Sequence, residues 1–288
     1  MMKSLLKGLF LLMLAGSTLG GVQKRVYVYP GHSHLGGNAN DTNGPRRGQH
    51  HGRHHVIVNR PACRFNPRCG GSLLSSDWVI TAAHCDCWFL RTVLNSHPDY
   101  SQRQVWKIAE KHYCCDNGEE HDLLLLKLQP ETVRGQRGHL PTIPLPPRSC
   151  KAPDRYQRVR FYGRMDATLA APDPKHNYKQ KMNPFSANRL RFGNISVVEC
   201  SFGSLNNCNP VSNCTYTPGS CICVRDPHVA TNPGDSGGSY VWRGPGDPQE
   251  YLYGVHNSGS GYLDDSPSQA KNICFKMYRD WIYSVTRL

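Results

Sequence analysis

The chain reads as an all-β protein, and three observations say so. Glycine and proline are both frequent, 27 and 21 among 288 residues, which favours short segments joined by turns. Apolar runs of strand length recur at short spacing, whereas helical periodicity is scarce. Only the C-terminal stretch departs, with Met277, Trp281, Ile282 and Val285 recurring at helical spacing as a core-facing stripe. A chain of this length has ample material for a core, as one large domain or two smaller ones.

Taken in order, the expected strands are Val56–Asn59, Trp78–Thr81, Phe89–Leu94, Gln104–Ala109 and Leu123–Leu128. The last is apolar nearly throughout, as a strand covered on both sides should be. A proline-rich connector, Pro141–Pro147, separates these from a second set: Gln157–Tyr162, Ser196–Val198, Cys221–Val224, Gly238–Trp242 and Tyr251–His256. Strand patterning alone does not choose barrels over sandwiches.

The N-terminus reads as an export signal. Lys3 precedes apolar Leu5-Leu6 and then a run from Gly8 to Ala15, and small residues follow at Gly16, Ser17 and Gly20. A signal peptide over residues 1–20 is expected, too short for stable membrane insertion. Thirteen cysteines fit the same oxidising, extracellular setting, and their odd number leaves one thiol unpaired or shared with another chain. Asn40, Asn194 and Asn213 each open an Asn-X-Ser/Thr acceptor for glycosylation. From residue 30 to 55 the composition turns to Gly, Asn, Arg and His without apolar period, which reads as a surface insertion. Its histidines lack the fixed surroundings of a metal site, so no metal is expected. Its arginines, with a net charge of +13, suit a sulfated glycan or other polyanion. Charge without a recognition motif does not make a nucleic-acid binder.

The chemistry lies in three stretches. Asn232-Pro233-Gly234-Asp235-Ser236-Gly237-Gly238 holds a serine on a glycine-bracketed turn, and a serine hydroxyl needs a neighbouring base to become a nucleophile. Cys69-Gly70-Gly71 and, further on, Thr81-Ala82-Ala83-His84-Cys85 supply a histidine; Glu120-His121-Asp122-Leu123 supplies a carboxylate. In sequence and in their order, His then Asp then Ser, these stretches resemble the active-site signatures of the chymotrypsin-like (trypsin-fold) serine proteases. The resemblance runs from about His55 to the end.

That resemblance implies two antiparallel six-stranded β-barrels and a C-terminal helix, in a protease domain spanning residues 26–288. It implies that Ser236 attacks the scissile carbonyl, that His84 carries the proton and that Asp122 orients the imidazole. The N–H groups of Gly234 and Ser236 would form the oxyanion hole. Cys69 would pair with Cys85, and Cys150 with Cys274. Residues 21–25 would be an activation peptide cut after Arg25, freeing Val26 to pair its ammonium with Asp235; Tyr27-Val28-Tyr29 departs from the family's usual glycines there. The substrate pocket maps to Ala230, Thr231, His256 and Gly259. Ala230 at its base removes the carboxylate that would bind Lys or Arg. Thr231 and His256 match the glutamyl endopeptidases of this fold, which implies cleavage after Glu or Asp; alternatively His256 is a satisfied core residue beside a small neutral pocket. Asn257 and Ser258 stand where the family commonly has Ser and Trp. The family's calcium loop is not recognisable in residues 94–104, and no cofactor is expected. Protein or peptide substrates and protease inhibitors are the implied partners. The competing reading is a catalytically silent homologue that acts as a basic binding protein.

Overall fold

The structure is a computed structural model. It describes residues 52–61, 68–97, 99–116, 119–129, 140–173, 179–200, 217–226, 229, 231–259, 262–263 and 267–288, with backbone only at 115–116, 119–120, 166–173, 179–189 and 262–263. The expected signal peptide, the dibasic segment, most of the 30–55 insertion, Asn40, Asn213 and Ala230 lie outside these residues.

Strands β1 (His55–Asn59), β2 (Arg68–Leu73), β3 (Trp78–Thr81), β4 (Arg91–Leu94), β5 (Gln104–Asp116) and β6 (Glu119–Gln129) close one antiparallel barrel in the order β1-β2-β3-β6-β5-β4. The second comprises β7 (Arg158–Asp173), β8 (Lys179–Val198), β9 (Cys221–Arg225), β10 (Ser239–Trp242), β11 (Tyr251–Ser258) and β13 (Ser268–Asn272). Its order is β8-β7-β10-β11-β13-β9, closed by pairing of β8 with β9, and short β12 (Tyr262–Leu263) is appended to β8. Helix α1 (Lys276–Thr286) ends the chain.

Each barrel has its own apolar filling, Val56, Val79, Leu124 and Leu126 in the first and Phe161, Ile195, Val224 and Tyr240 in the second. Strand β6 is buried on both faces because its Leu123 and Leu125 point into a third cluster, shared with Tyr162, Leu252 and Val255 of the second barrel and with Tyr278 and Ile282 of α1. The expected helical stripe is the face α1 turns inward, and Met277, Trp281 and Val285 pack beside that cluster. The disulfide Cys150–Cys274 ties the connector to the segment preceding the helix.

Four features differ from the sequence expectation. β2 contains Cys-Gly-Gly, and paired glycines weaken any strand signal. β13 is Ser-Gln-Ala-Lys-Asn, polar in sequence yet buried at every position. β7 and β8 pair far beyond the expected segments, as a long hairpin. Phe89 does not begin a strand: its φ is +61°, outside the extended region, and β4 starts at Arg91.

Candidate active site

His84 owes its position to a short turn. After β3 the chain makes one 3-10 turn, Ala83–Cys85, with Cys85 N–H donating to Ala82 O at 3.0 Å and Asp86 N–H to Ala83 O at 2.9 Å. The Cys69–Cys85 disulfide fastens this turn to β2, and Arg60 Nη2 donates to the His84 carbonyl at 3.2 Å. Asp122, on β6 with φ +50°, accepts the His84 main-chain N–H at 2.8 Å. The same carboxylate lies 3.1 and 3.0 Å from His84 Nδ1 through its two oxygens. A carboxylate on Nδ1 keeps the ring proton there and leaves Nε2 as the acceptor. Burial pushes the Asp122 carboxyl up, but the hydrogen bonds and charge of His84 outweigh it and hold the carboxyl below its ordinary value.

Asn257, at the end of β11, donates its Nδ2 to Asp122 Oδ2. Sequence comparison marked this residue only as a departure from the family pattern. Its amide is nevertheless a donor that can reach the carboxylate, and that donor capacity was the available signal.

Ser236 sits between the two barrels. Its carbonyl accepts the Gly70 N–H at 2.7 Å, so β2 of the first barrel holds the serine turn of the second. The turn demands glycine at two points. Gly237 has φ +79°, and a Cβ there would fall 2.2 Å from both Gly70 O and Thr81 Oγ1. Gly234 has φ +108°, and a Cβ there would meet Met165 Sδ at 2.6 Å. Between them Asp235 is buried, its Oδ1 accepting from the N–H groups of Arg164 (3.1 Å) and Met165 (3.0 Å) and its Oδ2 from Asn232 (3.0 Å). Among the described residues the Ser236 N–H makes no hydrogen bond, and Ser236 Oγ and His84 Nε2 are not bonded to each other. Such pairs often rest apart without substrate and tighten on binding.

The other sequence-singled residues fall into two groups. Thr231 is buried, shares a 2.9 Å hydrogen bond with Ser268 Oγ, and lies so near Gly259 that a Cβ there would be 2.3 Å from Thr231 Oγ1. His256 lies in an aromatic enclosure, with Nδ1 3.1 Å from Tyr240 OH, rings of Phe161 and Tyr240 packed against it, and a further bond to the Gln269 main chain. Burial, then the charge of His84, lowers its pKa to about 3, so the ring is neutral at physiological pH.

Two closed six-stranded barrels followed by a terminal helix are the fold of the chymotrypsin-like serine proteases. Within that class the chain belongs to the trypsin family, whose sequence model matches residues 42–282. It is 30% identical to human (Homo sapiens) Kallikrein-14 over 245 residues, 81% of this chain and 78% of that protein. It is 25% identical to Serine protease sp-Eoc49 of Echis ocellatus over 75% of this chain and 77% of the relative. Granzyme B(G,H) of Mus musculus is 26% identical across 70% of this chain and 73% of its own length. The chain is a serine-type endopeptidase acting on protein or peptide substrates.

Proposed function

We propose that Ser236, His84 and Asp122 form the proton-relay group of this endopeptidase. The observation that carries the reading is the Asp122 carboxylate on His84 Nδ1, which leaves Nε2 to serve as base. Ser236 Oγ adds to the scissile carbonyl as His84 Nε2 takes its proton. The imidazolium then returns that proton to the leaving amine, and water repeats the cycle on the acyl-enzyme. Developing charge on the carbonyl oxygen meets the N–H groups of Gly234 and Ser236. Loss of one such donor typically costs about 2.7–4 kcal/mol of barrier.

The pocket favours small neutral residues at the cleavage site. Thr231 fills space against Gly259, its hydroxyl is engaged by Ser268, and the His256 ring is neutral with its hydrogen bonds directed to Tyr240 and Gln269. An acidic substrate would have to charge a ring that burial keeps uncharged, which costs several kcal/mol by the size of such shifts. A peptide-library cleavage profile tests this: Ala, Ser or Val before the cut is expected. Dominant cleavage after Glu or Asp, lost in His256→Val, would instead assign the acidic pocket.

The enzyme is secreted and made as a zymogen, activated by cleavage after Arg25 so that Val26 joins the Asp235 site. Export is supported by the apolar leader and by disulfides at Cys69–Cys85, Cys150–Cys274 and Cys200–Cys223. Cys87 is disulfide-bonded as well. Exposed Asn194 is open to glycosylation, inhibitors of the class would engage the same cleft, and the arginines of the 30–55 segment supply positive charge for a polyanion. An Arg25→Gln chain should stay inactive, and full activity in it would refute the activation scheme.

A further inference from the structure

Strand β13 buries a lysine that neither barrel core explains. Lys271 is 5% exposed, and among the described residues its ammonium makes no hydrogen bond and no close ion pair. Burying an ammonium costs free energy unless an opposite charge in the same low-dielectric region offsets it. The register shows which way this one faces. Lys271 lies opposite Val255 of β11 on one side and opposite Cys221 of β9 on the other. Paired residues of an antiparallel ladder set their side chains on the same face. Val255 packs with Leu123 and Leu125 of β6 in the cluster between the barrels, whereas Ala270, one residue before Lys271, belongs to the filling of the second barrel. Lys271 therefore stands on the face turned toward β6, the strand that carries Asp122. Its charge reaches that carboxylate. Burial raises the Asp122 carboxyl, His84 lowers it by hydrogen bonds and charge, and the charge of Lys271 adds to the lowering.

We propose that Lys271 is a positioning residue whose buried charge secures the ionised Asp122 and so keeps the relay in its working protonation state as the medium turns acid. The inference rests on the reading of Ser236, His84 and Asp122 as that relay. His84 offers Asp122 a cation only when its ring is protonated, and Asn257 offers a neutral donor. Lys271 supplies charge while the ring is neutral and waiting for substrate. A proton entering the coupled pair meets that charge whether it lodges on the carboxylate or on the imidazole. The other ionisable groups about the pair do not duplicate this. His256 on β11 is kept neutral by burial. Arg60, after β1, donates to the His84 carbonyl and turns its charge on Asp86, which is itself bonded to Lys111 and Tyr113 of β5. His121, next to Asp122, lies 3.3 Å from Tyr278 OH of α1, and Cys221 faces Lys271 from β9.

The test is the rate of fluorophosphonate labelling of the processed protein from about pH 5 to about pH 9. Lys271→Met keeps the length of the side chain and removes the charge. It should move the acidic limb upward by about half a pH unit, an about threefold loss of rate on the limb, and leave the plateau above it within about twofold. Lys271→Arg keeps the charge and should hold the limb near its wild-type position. A role in packing alone would lower the rate at every pH and leave the limb in place, and that result would overturn the assignment. So would a limb displaced as far in Lys271→Arg as in Lys271→Met. If Lys271→Met does not fold, Lys271→Gln carries the same expectation and the same refutation. A Ser236→Ala control separates the two ways of failing. Label that survives it defeats the relay itself, whereas label that requires Ser236, with an unmoved limb in the lysine variants, defeats only the role of Lys271.

Discussion

Asn257 shows how one side chain can carry an argument that a motif cannot. Its amide donates to Asp122 Oδ2, while His84 Nδ1 lies within hydrogen-bond distance of both carboxylate oxygens. An amide cannot ionise, so it fixes the carboxylate without changing its charge. Asn257→Ser keeps a short donor and should retain activity within about tenfold, whereas Asn257→Asp sets a second carboxylate against Asp122. The latter should lower kcat at least a hundredfold, about 2.7 kcal/mol at 1.36 kcal/mol per decade, and shift the acidic limb of the pH–rate profile. Equal activity of the two variants would remove Asn257 from the catalytic account. This position was legible only as a deviation from the family pattern, because sequence spacing does not show which carboxylate an amide will meet after folding. His84, Asp122 and Ser236 were easier to single out, because they sit in three long runs that match the family's signatures in order.

Among the elements, the serine turn and the histidine turn depend on backbone packing more than on side-chain chemistry. Gly237 is enclosed by Gly70 O and Thr81 Oγ1, which are themselves bonded at 2.8 Å. Gly237→Ala therefore forces the barrels apart at the site and should destabilise the protein by about 3 kcal/mol or more, read from its urea midpoint. Phe89 gives the opposite sign. It is 72% exposed and held at φ +61°, so Phe89→Gly should relieve backbone strain and cost little packing. A small gain or no loss in stability is expected, and a loss above about 1 kcal/mol would reveal a contact for the ring. Strands rich in Val, Ile and Leu were legible as such. β2 and β13 were not, because glycine and polar side chains carry no period even when the sheet buries them.

Across the whole molecule, the two barrels are joined by buried polar groups that acid should attack. Arg164 links them in one residue: its main-chain N–H holds Asp235 while its Nη2 donates to Ser96 O at 2.8 Å and Ser96 Oγ at 2.9 Å. His54 Nε2 lies 2.9 Å from Ser239 Oγ, and burial lowers the pKa of His54 to about 3, like that of His256. His55 is held well below its ordinary value by burial and then by the charge of Arg164. Their folded values lie below the unfolded one, so below pH 6.5 the unfolded chain binds protons that the folded chain refuses. Stability should be full above pH 6.5 and fall as pH drops toward 3, by about 1.4 kcal/mol per pH unit for each histidine. Urea midpoints from pH 7 to pH 4 test this, with His54→Gln expected to flatten the decline. A stability flat across that range would mean these rings are protonated in the folded state. The pairing of barrels was not legible from strand patterns, since alternation reports a buried face and not the sheet that covers it.

The central claim, that the hydroxyl of Ser236 is activated by His84, is tested most directly by fluorophosphonate labelling of the processed protein, followed by intact mass. Stoichiometric addition that disappears in Ser236→Ala, and is strongly slowed in His84→Ala, is the predicted result. Wild-type protein cut after Arg25 that takes up no label, or label that survives Ser236→Ala, would contradict it.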